Sequence, residues 1–258
     1  MKKFTKVVSL MLAAILMMAL CTACGGESKK DDSTITFGTN AEFPPFEYVT
    51  AKGVIGEFDG IDMAIAKQIG EDNGMEAKIE NMEFDSLLLA LENGQVDAVI
   101  AGMTITDEKK DAADFSKPYY TAKQVMIVKE DSDIQKASDM ADKKIVVLQG
   151  FTGETCVNEM GYKYESFKKG TEAIMELVNG KCDVVVIDSA TAEKYVEDNE
   201  GLKIVEDNDA FEAEEYGIAV KKGNTELLDK INKSLDKMME DGTISELSAK
   251  YAESSDAE

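Results

Sequence analysis

Apolar positions change period repeatedly along this chain. Short blocks that alternate or run continuously apolar fall at residues 34–38, 77–81, 98–101, 125–129, 144–148, 184–187 and 218–221, and these predict strands. Between them, apolar residues recur at three- and four-residue spacing over 62–73, 84–93, 137–140, 155–160, 170–178, 189–198, 225–241 and 243–248, and these predict helices. Four of the helical stretches stop at a polar residue followed by glycine: Asn73-Gly74, Asn93-Gly94, Asn179-Gly180 and Asp241-Gly242. Strands alternating with helices predict an α/β fold with largely parallel sheets. No repeat of solenoid length interrupts the pattern.

The first 23 residues follow a different logic. Lys2, Lys3 and Lys6 precede an apolar run over 7–20, too short for an ordinary transmembrane helix and suited to a secretory signal. The stretch Leu20-Cys21-Thr22-Ala23-Cys24-Gly25-Gly26 resembles a bacterial lipobox, with Cys21 standing where leucine is usual. Cleavage before Cys24 would leave its thiol as the lipid attachment site; ordinary signal cleavage would leave it a free thiol. Residues 24–33 are polar and aperiodic, as in a flexible tether.

Charge then narrows the function. The 258 residues carry 51 acids against 28 basic residues, a net charge of −23, and every basic residue is lysine. Without residues 1–23 the remainder carries about −26, which repels nucleic acid. The chain contains no histidine, so Ser-His-Asp and Cys-His nucleophile systems and histidine-ligated metals are excluded. No DxDxDG-type loop is present, so the acids read as a solvated surface rather than a calcium site. No metal and no cofactor are expected. The body keeps two cysteines, Cys156 and Cys182. If Cys156 lies near the carboxyl end of one strand and Cys182 before the start of another, they are too far apart to bridge, so both are expected as unpaired, mostly buried thiols.

The most informative stretch is residues 101–120, AGMTITDEKKDAADFSKPYY. It follows a buried-strand pattern and brings a glycine, two threonines and then Lys109 to the strand end. Backbone N–H groups, hydroxyls and a cation suit a carboxylate. The same residues also read as a helix start with Thr106 as N-cap, and both readings can hold. The run resembles the carboxylate-gripping segment of the amino-acid-binding proteins of ABC importers, the bacterial extracellular solute-binding proteins of family 3. Further stretches resemble that family in the same order: TFGTNAEFPPFEY at 36–48, GIDMAIA at 60–66, VLQGFTGE at 147–154, DVVVID at 183–188 and YGIAV at 216–220. Ala64 stands where that family usually has an acid, and Lys109 where it has arginine.

The resemblance implies a two-lobed periplasmic-binding-protein type II fold, a Venus flytrap with two hinge crossings. Lobe one would comprise 34–118 plus 217–258 and lobe two 125–211, with hinge segments at 119–124 and 212–216. It implies a monomer that takes a free amino acid, polar or basic, between its lobes and passes it to a membrane permease. Gly102, Thr104 and Lys109 would hold the carboxylate, helped by Thr152 and Gly153 from the other lobe. Asp188 would hold the ammonium, or else simply cap the helix after it. Phe43 and Phe84 would wall the side-chain pocket, with Asn40 and Gln149 supplying polarity; Glu42 and Glu47 point either there or to solvent. An exported protein held to the outer face of the cytoplasmic membrane by its N-terminal lipid, or periplasmic where an outer membrane exists, follows. Two other classes remain open: a ligand sensor, and a cyclohexadienyl-type dehydratase on the same fold using Glu42 or Lys109. No motif favours catalysis, so no enzyme activity is expected.

Overall fold

The computed structural model describes residues 33–253; the signal stretch, Cys24 and nearly all of the tether lie outside the described residues. In the first sheet, β1 (Thr34–Thr39) lies parallel to both β5 (Glu76–Asn81) and β6 (Ala98–Val99), with Phe37 opposite Ala98. The alternation in β1 sends Ile35 and Phe37 into the core. From much later in the chain, β14 (Ala219–Lys221) inserts antiparallel between β6 and β7 (Ala113–Phe115), giving the order β5-β1-β6-β14-β7. Helix α1 (Ile61–Asp72) packs on this sheet and against α7 (Thr225–Glu240) and α8 (Thr243–Glu253). The segment between β1 and α1 folds into a small antiparallel sheet of β2 (Glu42–Phe43), β3 (Glu47–Val49) and β4 (Phe58–Asp59).

The second sheet runs β10 (Tyr164–Phe167), β9 (Ile145–Leu148), β11 (Val184–Asp188), β8 (Tyr120–Lys129), β12 (Leu202–Val205). Its central strands are buried on both faces. Val125, Ile127, Val185 and Ile187 enter one core, while Met126, Val128, Val184 and Val186 enter the other. Such strands show unbroken apolar runs instead of alternation. The first of these cores continues into the layer of the first sheet through Phe43, Phe46, Phe84 and Phe151. Strand β8 also forms a ribbon with β13 (Ala213–Tyr216), from Ala213 opposite Lys123 to Tyr216 opposite Tyr120.

The sheets are mixed, not largely parallel as the pattern predicted. Strand β8 is antiparallel to β11, β12 and β13, and β14 is antiparallel to both its neighbours. Burial on both faces sets the apolar run, but direction depends on where the chain enters and leaves. Strands β7, β10, β12 and β13 were not anticipated; all are four residues or fewer and lie partly open to solvent. The expected helix at 84–93 is a 3₁₀ turn, Phe84–Ser86, running into α2 (Leu87–Glu92). The four polar-glycine stops hold, each glycine having a positive φ. Cys156 and Cys182 are unpaired, Cys182 buried and Cys156 half-buried.

Candidate functional site: a cleft between the two sheets

Asp188 ends β11 and occupies the N-cap position of α6 (Ser189–Asp198), yet its side chain makes no capping bond. It is 2% exposed, and the Tyr216 hydroxyl donates to its Oδ1 at 2.5 Å. Burial pushes the Asp188 carboxyl up; hydrogen bonds from Tyr216 and Gln124, and the Lys109 charge, pull the other way. Lys109 sits in α3 (Asp107–Ala112), whose N-cap Thr106 accepts from the Lys109 N–H at 3.2 Å. Burial pushes the Lys109 ammonium down, opposed by Asp188 first and Glu214 second. Its Nζ donates to the Thr104 carbonyl at 3.4 Å and stands 5.9 Å from the centre of the Phe84 ring. A cavity of about 590 Å³ opens beside it, among Phe84, Met103, Gly150 and Thr152.

Two of the expected carboxylate donors are already engaged. The Gly102 N–H donates to Asp62 Oδ2 at 2.8 Å, and the Thr104 hydroxyl donates to Glu214 Oε2 at 2.9 Å. Gly102 therefore has only its carbonyl left to offer. A hydroxyl that has given its single proton can only accept. Both groups thus suit an ammonium rather than a carboxylate, which corrects the expected role of the Gly102 N–H and the Thr104 hydroxyl. The Thr104 N–H remains as a donor. Thr104 pairs with Tyr216 between the bonds Ile105 N–H to Glu215 and Gly217 N–H to Met103, and its own N–H faces away from that ladder. Gly102 has φ 52°, and a Cβ there would lie 2.9 Å from the Phe43 ring, so the close turn requires glycine.

The opposite wall is α4 (Thr152–Glu159), which starts three residues earlier than its apolar period predicted. Thr152 and Gly153 therefore form its first turn, where N–H groups lack helical partners and favour negative charge. A Cβ at Gly153 would meet Gln124 Oε1 at 2.8 Å and the Val186 carbonyl at 2.9 Å. The Thr152 hydroxyl hydrogen-bonds Glu214. Phe43 and Phe84 do not face one another across empty space. Phe151 stacks on Phe84 with centroids 3.9 Å apart and lies 5.1 Å from Phe43.

The structure brings Phe43, Phe84, Gly102, Thr104, Lys109, Thr152, Gly153 and Asp188 to one cleft. Two expected members are placed otherwise. Asn40 gives its amide to the Met82 carbonyl at 3.0 Å and lines a separate cavity of about 380 Å³ with Glu42 and Lys169. Gln149 follows β9 half-buried and is not among the residues lining the cavity beside Lys109. Glu42 pairs with Lys169 at 2.8 Å.

Sequence reasoning missed Glu214, Gln124, Tyr216 and Phe151. A period-two reading of 213–216 would have set Glu214 on the face of the inward Tyr216. It also missed what lies beneath the Gly102 turn. Glu47 and Asp62 are both fully buried, and Asp62 accepts from Gly102 and from the Tyr119 hydroxyl at 2.9 Å. Among the described residues, Asp62 Oδ1 and both Glu47 oxygens meet no other protein donor. Burial first, and then the neighbouring Asp62 charge, push Glu47 well up, so it keeps a proton to give to Asp62.

Two α/β layers joined by a strand ribbon, with a buried acid, a half-buried cation and a helix start converging between them, define a two-lobed ligand-capturing protein. The chain belongs to the bacterial extracellular solute-binding proteins, family 3, whose sequence profile matches residues 35–254. It is 34% identical over 250 residues to the arginine-binding extracellular protein ArtP of Bacillus subtilis, covering 94% of this chain and 96% of that one. The glutamine-binding protein GlnH of the same organism is 31% identical over the full length of both chains. Among solved structures, an ancestral arginine-binding protein bound to glutamine superposes with a TM-score of 0.79 at 42% identity, covering 86% of this chain and 99% of that one.

Proposed function

We propose that this protein captures a free amino acid in the cleft, without turnover, and delivers it to the permease of an ABC importer. The observation that carries the reading is the opposition of charges across one cleft. Asp188, the Thr104 hydroxyl and the Gly102 carbonyl offer an ammonium its acceptors. Lys109, the Thr104 N–H and the first turn of α4 offer a carboxylate its donors. An α-amino acid carries both charges on one carbon, and burying either unpaired is costly. Lys109 is a point charge without arginine's planar fork, so it orients the carboxylate less strictly. The proposed lobes are 34–118 plus 217–258 and 125–211, hinged at 119–124 and 212–216, and the protein acts as a monomer. Only a closed cleft lets both lobes touch the ligand, so ligand shifts the population toward closure.

A polar or basic amino acid is favoured. The similar proteins named for arginine and glutamine, and the acid-rich surface, support this. A thermal-shift panel of the twenty amino acids with ornithine, citrulline and cystine tests the reading, since ligand bound only by the native state raises the melting temperature. No shift with any member overturns it. With the ligand found, Asp188→Asn keeps the shape and removes the charge. It should weaken calorimetric affinity by roughly 2–5 kcal/mol; an unchanged affinity removes Asp188 from the ammonium site. For anchoring, the reading is export, cleavage before Cys24 and a lipid on its thiol, and the mass of the native N-terminal peptide checks it.

A further inference from the structure

Glu214 belongs to β13 of the ribbon, yet its side chain turns into the cleft. Its Oε2 accepts from the Thr104 hydroxyl at 2.9 Å and from Gln124 Nε2 at 3.4 Å, and Thr152 on the opposite wall also donates to it. Asp188 on β11 and Lys109 on α3 are its charged neighbours. We propose that Glu214 is the second acid of the amine subsite, positioning the Thr104 hydroxyl with its lone pairs toward the ligand's ammonium and adding its charge to that of Asp188. This rests on the reading of the cleft as an amino-acid site and names a specificity device within it. A neutral threonine hydroxyl free to rotate would serve a carboxylate or an ammonium equally. Tied to Glu214, it serves only the ammonium.

Burial, and next the Asp188 charge, push the Glu214 carboxyl up to about 7, against the hydrogen bonds from Thr104, Gln124 and Thr152. Of the other groups facing it, Lys109 and Asp188 form the opposed charge pair, Tyr216 is pushed well up, and the Cys156 thiol is pushed up to about 11. Glu108, the residue before Lys109 in α3, also adds its negative charge near Lys109. An arriving ammonium favours the ionised Glu214, so the bound complex holds this proton less tightly than the empty cleft does. Affinity is then full above about pH 7 and falls as pH drops below it.

Calorimetry of the full-length protein with L-arginine and with L-glutamine, at pH 6 and pH 8, tests this. For the wild type, affinity should fall about tenfold from pH 8 to pH 6, with about half a proton released on binding at pH 7 in buffers of differing ionisation heat. Glu214→Gln should show the weak affinity at both pH values and release no proton, while Thr104→Val should lose affinity at pH 8. A Glu214→Gln protein that keeps the wild-type pH dependence overturns the proposal. So does one that binds more tightly, because Glu214 would then merely occupy the donors a ligand carboxylate needs. A wild type that binds no amino acid at all overturns the reading of the whole cleft, a failure distinct from that of Glu214 alone.

Discussion

At the scale of single residues, the Gly102 turn is held from below by a buried acid pair. Asp62 takes the Gly102 N–H and the Tyr119 hydroxyl, and Glu47 keeps a proton that answers the remaining Asp62 oxygen. Burial pushes Asp62 from 3.8 up to about 6. Since the folded state holds this proton more tightly than the unfolded chain, the group stabilises the fold at low pH and that contribution is lost as pH rises from about 4 to about 6. At about 1.4 kcal/mol for each tenfold in proton affinity, the loss is on the order of 3 kcal/mol. Asp62→Asn retains an acceptor for Gly102 and gains a donor toward Glu47. Its urea-unfolding free energy should lack this decline and exceed the wild type at pH 7; a parallel pH profile for the two proteins would show that Asp62 is not the group responsible.

Among the elements, α3 matters out of proportion to its six residues because it sets the backbone of Lys109. Thr106 caps it by accepting the Lys109 N–H itself, and Asp107 and Glu108 add negative charge to its first turn. Thr106→Ala should cost about 1 kcal/mol of stability and, by freeing the first turn, weaken ligand binding as well. Thermal melting and calorimetry on the same variant separate the two effects. Loss of stability with unaltered affinity would show that Lys109 is positioned by its contacts with Thr104 and Phe84 and not by the cap.

Across the whole molecule, closure is written into contacts between residues of the two sheet layers. Phe151 lies between Phe84 and Phe43, Lys169 reaches Glu42, and the Tyr195 hydroxyl reaches the Glu42 carbonyl at 3.3 Å. The Lys169–Glu42 pair is solvated, so it contributes little. Aromatic pairs contribute roughly 0.5–1.5 kcal/mol each beyond the area they bury, so Phe151 dominates. It also fills the space between the two rings expected to wall a ligand side chain. Phe151→Ala should therefore open the empty protein, seen as a larger radius of gyration by X-ray scattering. It should also raise the affinity for arginine relative to alanine. An unchanged radius together with an unchanged affinity ratio would remove Phe151 from both roles.

The sequence by itself determined which segments are buried, where the helices stop and which motifs stand in which order. Each of these depends on residues close together in the chain. The run of five apolar or acidic residues at 184–188 marks a buried strand ending in Asp188, and the Thr106 cap was legible from its neighbours alone. Only the tertiary structure decided strand direction in the second sheet and the partner of each cleft hydrogen. Gly102 gives its proton to a residue 40 positions away, and Thr104 to one 110 positions away. A hydroxyl or an amide has the same pattern of apolar neighbours whether it faces a ligand or another side chain. Which of the two it meets, and so whether it donates or accepts in the cleft, is fixed by the packing of distant strands, because a hydrogen bond depends on an approach of about 3 Å in space that hydrophobic periodicity does not encode.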